Sequence, residues 1–228
     1  MKYLIDSFSC ADIRRVMEYY PTEGVTTNPA IVCREKTEYR ARLTEIARAV
    51  NGGMLHVQTM QTEAAAMQRE AEALNALLGK NGLGAQLYVK LPATAEGLKA
   101  CRALKEKGVG ITMTAIFSPQ QALICARAGA DFVAPYVNKL SDVGDGLECV
   151  RRICEIFRLH GLTTQVLSAS FRNVEQVTQM ALAGSHYITL PAAFYEKLIY
   201  HPMTELAISG FENDWQQVYG DKKPIDLI

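Results

Sequence analysis

Short runs of β-branched and aliphatic residues alternate with amphipathic segments of helical period along the chain. The runs that predict strands are KYLIDS, GVTTNPAIV, MLHVQTM, AQLYVKL, GITMTAIF, DFVAPYVN, TTQVLSASF and SHYITL. A helical segment follows each run, most clearly at residues 36–49, 63–78 and 145–159. One further helix, over roughly residues 203–218, contains the single tryptophan, Trp215. The pattern therefore predicts eight strand–helix units and an extra C-terminal helix.

Continuous alternation of strands and helices is typical of a parallel sheet covered by helices. Eight such units in 228 residues predict an α/β fold, a (β/α)8 TIM barrel, as one domain over residues 1–228. A doubly wound open sheet is the alternative, but no GxGxxG motif follows a predicted strand.

Composition narrows the range of functions. The formal net charge is zero, so no broad basic surface for nucleic acid or anionic membranes is expected. The start MKYLIDSF lacks the apolar core of a signal peptide, and no apolar run is long enough to span a bilayer. The six cysteines are scattered without a CxxC pair, and no metal-ligand spacing is visible. We therefore expect a cytoplasmic protein with reduced thiols, no metal site and no cofactor.

One lysine lies inside an apolar strand. In QLYVKLP, Lys90 is surrounded by residues typical of a buried strand, whereas the other lysines lie among polar residues, near the termini or beside turns. Burial of an ammonium is costly unless it is paired or loses its proton. Lys90 is either a lysine that reaches solvent or a carboxylate, or an amine held uncharged for chemistry.

Alternation along each strand sorts its side chains between two faces. In the fourth strand Leu87, Val89 and Leu91 share one face, while Tyr88 and Lys90 share the other, which we expect to face the barrel lumen. The same sorting puts polar residues on one face near the C-terminal strand ends: Asp6, Thr26, Asn28, Gln58, Thr114, Tyr136, Asn138, Ser170 and Arg172. Active sites of such barrels lie at these ends, so the pattern predicts a pocket there.

A lysine amine in a barrel without a cofactor motif suits Schiff-base chemistry. Desolvation lowers the lysine pKa, so the free amine that attacks a ketone is populated near neutral pH. The iminium then accepts the electron pair released when a neighbouring carbon–carbon bond breaks. Tyr136, Gln58 and Thr114 are the candidates for proton transfer.

The segments EGVTTNPAI, YVKLPATAEGL, TAIFSPQQAL, AGADFVAPYVN and SASFRN together resemble the transaldolase family. Within it they are most similar to the small fructose-6-phosphate aldolases and short transaldolases. The resemblance runs from Lys2 to about Trp215. It implies a cofactor-free class I enzyme on a (β/α)8 barrel, assembled as a homo-oligomer, either a pentamer or a decamer of two pentameric rings.

Matched by position, the resemblance implies that Lys90 is the Schiff-base lysine and that Asp6 and Asn28 bind substrate hydroxyls and handle protons. It implies that Ser170 and Arg172 belong to a phosphate clamp. Thr26 and Asn138 are further candidates for substrate binding. Structural roles remain open: a helix cap for Asp6, a turn before proline for Asn28 and a surface charge for Arg172.

Two positions bear on the branch of the family, and a third bears on the binding of a phosphate. Transaldolases resemble one another in having Glu in the third strand and Phe in the sixth, where this chain has Gln58 and Tyr136, as the aldolases do. A phenol donates a proton at neutral pH, whereas an ionised glutamate accepts one. Lys139 stands where the family usually has Arg, and an ammonium cannot form the bidentate fork with a phosphate.

The leading hypothesis is a class I aldolase that cleaves or forms the C3–C4 bond of fructose 6-phosphate or a similar ketose. Its donor is of the dihydroxyacetone type and its acceptor of the glyceraldehyde 3-phosphate type. The alternatives are a transaldolase, a variant that acts on a sulfo-sugar, and a barrel that binds sugar phosphates without catalysis.

Overall fold

Eight parallel strands pair in chain order, and the first pairs with the last to close a barrel. The computed structural model describes residues 1–142 and 144–228. The strands are β1 (Lys2–Asp6), β2 (Gly24–Thr26), β3 (Met54–Gln58), β4 (Gln86–Pro92), β5 (Gly110–Ile116), β6 (Phe132–Pro135), β7 (Gln165–Ser168) and β8 (Tyr187–Leu190). The closed parallel barrel confirms the predicted fold class and shows that the doubly wound alternative is wrong.

Helices follow the strands as the sequence pattern predicts. They are α1 (Cys10–Tyr19), α2 (Pro29–Glu35), α3 (Tyr39–Ala49), α4 (Ala64–Leu78), α5 (Ala95–Glu106), α6 (Pro119–Arg127), α7 (Val137–Ser141), α8 (Gly146–Leu159), α9 (Val174–Leu182), α10 (Ala192–Ile199) and α11 (Pro202–Tyr219). A short 3-10 helix follows at Pro224–Asp226. None of the described helices is long and apolar enough to cross a membrane.

The lumen of the barrel is filled in its lower half by apolar and aromatic side chains. This lumen floor is a buried cluster with two partly buried neighbours: Leu4, Phe132, Leu167, Tyr187, Met54 and Tyr88. Because strand side chains alternate, Leu4 lies one lumen layer below Asp6, and Tyr88 lies one layer below Lys90. The strands therefore carry the polar lumen residues of the cavity above a buried, mainly apolar layer.

Three strands end at least three residues earlier than the sequence pattern predicts. Residues 29–32 of the predicted second strand are helical, because Asn28 caps α2 and Pro29 occupies its first turn. The predicted helix over 36–49 begins only at Tyr39. The sixth strand ends at Pro135 and the seventh at Ser168. Alternation alone therefore does not fix the side-chain directions of the predicted lumen residues beyond these ends.

The chain divides into two compact units, Met1–Tyr195 and Glu196–Ile228. In the second unit α11 confirms the predicted C-terminal helix. None of its residues is buried, and Phe211 is 71% exposed. Trp215 packs on Tyr219 with ring centroids 4.5 Å apart. The single domain over residues 1–228 stays a prediction.

Candidate active site

A cavity of about 790 Å³ opens in the barrel unit at the C-terminal ends of the strands. Eight of the eleven site residues predicted from the sequence line it: Asp6, Thr26, Asn28, Gln58, Lys90, Tyr136, Lys139 and Ser170. They come from the ends of six different strands and the segments that follow them. Such convergence is typical of a barrel active site.

Lys90 is buried in the wall of this cavity. The residue is 6% exposed, so the alternative of a lysine that reaches solvent is wrong. Its Nζ donates a hydrogen bond to the carbonyl oxygen of Thr27, 2.7 Å away. Burial lowers the pKa of Lys90, and the negative charge of Asp6 opposes this shift. The amine therefore has direct access to the cavity and a raised population of its uncharged form.

Aromatic rings beneath Lys90 account for its desolvation. His56 is fully buried and stacks on Tyr88, with ring centroids 4.9 Å apart, while Phe132 meets it edge-on at 5.0 Å. Burial and the charge of Lys90 together lower the pKa of His56 to about 3, so its imidazole is neutral at physiological pH. The layer under the amine is therefore uncharged and shielded from bulk water.

Asp6 belongs to a hydrogen-bonded chain across neighbouring strands. Its Oδ1 accepts a hydrogen bond from Thr26 Oγ1 at 2.7 Å, and Thr26 Oγ1 lies 2.6 Å from Thr189 Oγ1. Burial raises the pKa of Asp6, while Lys90, the Thr26 hydroxyl and Arg34 act in the opposite direction. The helix-cap role is wrong for Asp6, because Ser9 is the N-cap of α1.

Asn28 combines a structural role with a position at the cavity. Its Oδ1 accepts the backbone N–H of Ile31 at 3.1 Å and so caps α2. This bond uses the amide oxygen, which leaves the amide NH2 group for hydrogen bonding in the cavity.

Tyr136 places a phenol in the cavity wall at the end of β6. It lies between β6 and α7, and its hydroxyl is 3.1 Å from Thr114 Oγ1. Thr114 itself is 1% exposed and does not line the cavity. The Nζ of Lys139 stands 5.5 Å from the centre of the Tyr136 ring. The cavity therefore has a phenol held by a buried threonine, with a cation beside it.

Two predicted residues point elsewhere. Arg172 has a side chain that is 67% exposed and pairs with Asp142 at 3.4 Å. Asn138 lies on α7 rather than on a strand, so its predicted lumen position on β6 is wrong. Ser170, by contrast, reaches the cavity with a left-handed backbone at φ 67, beyond the end of β7. These segments leave the barrel wall, so alternation does not fix their side chains.

Three residues at or below the cavity were not predicted from the sequence. Thr189 and Arg34 line it, and His56 lies in the layer below Lys90. His56 precedes Gln58 by two positions, so alternation alone would place it on the lumen face. Within residues 1–142 and 144–228, no group of three or more His, Cys, Asp or Glu residues is placed to hold a metal ion.

Comparison with known proteins identifies the family. The chain matches the family model described as Transaldolase/Fructose-6-phosphate aldolase over residues 3–223. It belongs to this family. A probable transaldolase of Symbiobacterium thermophilum is 42% identical over 221 residues, covering 96% of this chain and 99% of the relative. A probable transaldolase of Brevibacillus brevis is 40% identical over 216 residues, covering 94% and 98%.

A solved structure with low sequence identity shares the fold of the family. A thiamine phosphate pyrophosphorylase from Pyrococcus furiosus matches with a TM-score of 0.55 at 16% identity, covering 84% of this chain and 85% of that chain. This likeness concerns the fold alone. The family match confirms the resemblance stated from the sequence segments.

Proposed function

We propose that the protein is a class I aldolase that cleaves or forms the C3–C4 bond of fructose 6-phosphate or a similar ketose through an imine at Lys90. The observation that carries this proposal is the Lys90 amine, which is buried above an aromatic floor, opens into the cavity and has a lowered pKa. A free amine is the form that attacks a carbonyl carbon.

The chemistry follows from the groups around the amine. Lys90 Nζ attacks the C2 ketone, water leaves, and a protonated imine forms. A base then removes the proton of the C4 hydroxyl, the C3–C4 bond breaks, and its electron pair passes to the imine to form an enamine. The aldehyde departs, the enamine takes a proton at C3, and water releases dihydroxyacetone and the free lysine.

The residues that line the cavity are assigned to proton transfer, to the donor end of the substrate and to its phosphate. Tyr136, supported by Thr114, and Gln58 hold and move the protons, through a water where direct contact is lacking. Asp6 and the amide of Asn28 bind the hydroxyls at the donor end, with Thr26 fixing Asp6. Lys139 and Ser170 bind the phosphate. Arg172 and Asn138 are not assigned a contact, since neither lines the cavity.

A transaldolase is the second candidate. The relatives of about 40% identity are named probable transaldolases. In that reaction the enamine attacks an acceptor aldehyde instead of taking a proton, so the dihydroxyacetone unit is transferred. Gln58 and Tyr136, which replace the Glu and Phe of transaldolases, favour the aldolase.

Incubation with fructose 6-phosphate, with and without erythrose 4-phosphate, separates the two reactions. Free dihydroxyacetone formed without the acceptor is the result expected of the aldolase. Turnover only after the acceptor is added would assign the transferase. A parallel series with sulfonate and neutral head groups identifies the ketose.

We also propose a homo-oligomer, a pentamer or decamer as the resemblance implies. Exposed apolar side chains on α11, among them Leu206, Phe211 and Val218, support association. Native mass spectrometry tests it: a monomer at micromolar concentration would contradict the proposal.

A further inference from the structure

Two buried polar atoms on β3 have no hydrogen-bond partner among the described residues. They are Nε2 of His56 and Oε1 of Gln58. Because the two residues are separated by one position on the strand, both side chains face the lumen, Gln58 at the cavity and His56 one layer below. Buried polar atoms are nearly always hydrogen-bonded, so two such atoms on one face point to a shared ligand.

The His56 ring is held in one orientation. Its Nδ1 lies 2.8 Å from Thr112 Oγ1, and its ring stacks on Tyr88 and meets Phe132 edge-on. With Nδ1 engaged, Nε2 is the atom left to bind a ligand. His56 lies two positions before Gln58, which is opposite Lys90 in the β3–β4 pair. Its hydrogen-bond partner Thr112 is opposite Lys90 in the β4–β5 pair. The strand register therefore places the His56 ring beneath the reacting amine.

The chemistry of the two atoms selects the ligand. Gln58 Oε1 accepts hydrogen bonds only, whereas Nε2 of a neutral imidazole donates or accepts according to the tautomer. A water donates to the amide oxygen and either donates to Nε2 or accepts from it. The ligand is therefore small, uncharged and able to both donate and accept.

We propose that His56 Nε2 and Gln58 Oε1 hold one buried water beneath Lys90, and that His56 is thereby a positioning residue for Gln58. The inference rests on the proposed function, in which Gln58 serves proton transfer. Without the water, the Gln58 amide has no partner for its oxygen and loses its fixed orientation. The step that suffers is then proton transfer at the substrate, not attack by Lys90.

A matched pair of variants tests this role. The variant His56→Asn keeps a polar atom where Nδ1 lies, and so keeps the hydrogen bond to Thr112, but it loses Nε2. The variant His56→Gln keeps a polar atom at the position of Nε2. Loss of one partner in a buried hydrogen-bond network typically costs about tenfold or more, and we expect a loss of kcat of this size in His56→Asn. His56→Gln is expected to recover most of this loss. Thr112→Val removes the hydroxyl that orients the His56 ring, so it is also expected to lower kcat.

Two readouts separate the steps. Borohydride trapping with dihydroxyacetone reports imine formation at Lys90, and kcat with fructose 6-phosphate reports the whole cycle. We expect trapping in His56→Asn to stay within about twofold of the wild type while kcat falls about tenfold or more. An unchanged kcat in His56→Asn, or an equal loss of kcat in the Asn and Gln variants, would overturn the inference. Failure of the wild type to trap an adduct would instead contradict the proposed function.

A crystal structure of the wild type provides a test independent of activity. We expect density for a water within hydrogen-bond distance of both His56 Nε2 and Gln58 Oε1, and no such water in His56→Asn. A direct bond between the two side chains, or a dry contact, would overturn the inference.

Discussion

Lys90 Nζ lies 2.7 Å from the carbonyl oxygen of Thr27, so the segment after β2 provides the hydrogen-bond acceptor for the buried amine. A carbonyl accepts from an uncharged amine as well as from an ammonium, and so does not require the positive charge as a paired carboxylate would. Thr27 is itself fixed, because its N–H and its hydroxyl both donate to the carbonyl of His56. The acceptor therefore orients the nucleophile without holding it in its protonated form.

This arrangement predicts the pH dependence of imine formation. The pKa of Lys90 lies below its ordinary value of 10.5, so the trapping rate should fall with decreasing pH at a midpoint below 10.5. Asp6 raises the pKa of Lys90, so Asp6→Asn should move the midpoint to still lower pH. Trapping with dihydroxyacetone and borohydride across pH measures both. A wild-type midpoint at or above 10.5 would show that burial does not govern the amine.

Tyr136 and Thr114 predict a second effect, on the chemical step. Removal of the phenol hydroxyl in Tyr136→Phe should lower kcat by about 10²–10⁴-fold with a small change in KM, since proton transfer typically contributes that much. Thr114→Val keeps the phenol but removes its partner and should cost less. Steady-state kinetics with fructose 6-phosphate provides the measurement. A Tyr136→Phe enzyme with normal kcat would remove this residue from the mechanism.

Variants of Lys139 and Arg172 form a matched pair that tests which cation binds the phosphate of the substrate. Lys139 lines the cavity, whereas Arg172 is exposed and bound to Asp142. Loss of a charged hydrogen bond to phosphate should raise KM for a ketose phosphate about tenfold or more in Lys139→Ala. Arg172→Ala should raise it less, and KM for an unphosphorylated ketose should change little in either. A larger effect from Arg172→Ala would mean that the phosphate lies outside the cavity described.

His56 predicts a loss of stability in acid. Its pKa is about 3 in the folded chain and about 6.5 unfolded, so between these pH values the unfolded chain binds a proton that the folded chain does not. The free energy of unfolding should therefore fall with decreasing pH below about 6.5, by up to about 1.4 kcal/mol per pH unit from this group alone. Urea titrations at several pH values should show a shallower decline for His56→Gln. Parallel declines in the two proteins would contradict a neutral, buried imidazole.

Much of the fold and the cavity could be predicted from the sequence, because period-two alternation within a strand is a strong signal. It placed Lys90, Gln58 and Asp6 on the lumen face, and the structure has all three at the cavity. The same rule failed for Asn138 and Arg172, which lie beyond the last residue of their strands. Chain direction there depends on tertiary contacts and caps that alternation does not describe.

The remaining gaps have a similar cause. Arg34 lies on a helix that the sequence pattern assigned in part to a strand, so its approach to the cavity was not foreseen. His56 did fit the alternation, but its lack of a partner at Nε2 depends on the packing of three rings and a threonine. Such contacts are set by the closed barrel and not by any one segment.

In the proposed reaction one buried lysine, Lys90, forms a carbon–nitrogen bond with a ketose. Reduction with borohydride in the presence of fructose 6-phosphate or dihydroxyacetone, followed by peptide mass spectrometry, tests it directly. We expect a single reduced adduct on Lys90, absent from a folded Lys90→Met variant that has also lost turnover. An unmodified chain, or an adduct on another lysine with Lys90 untouched, would contradict it.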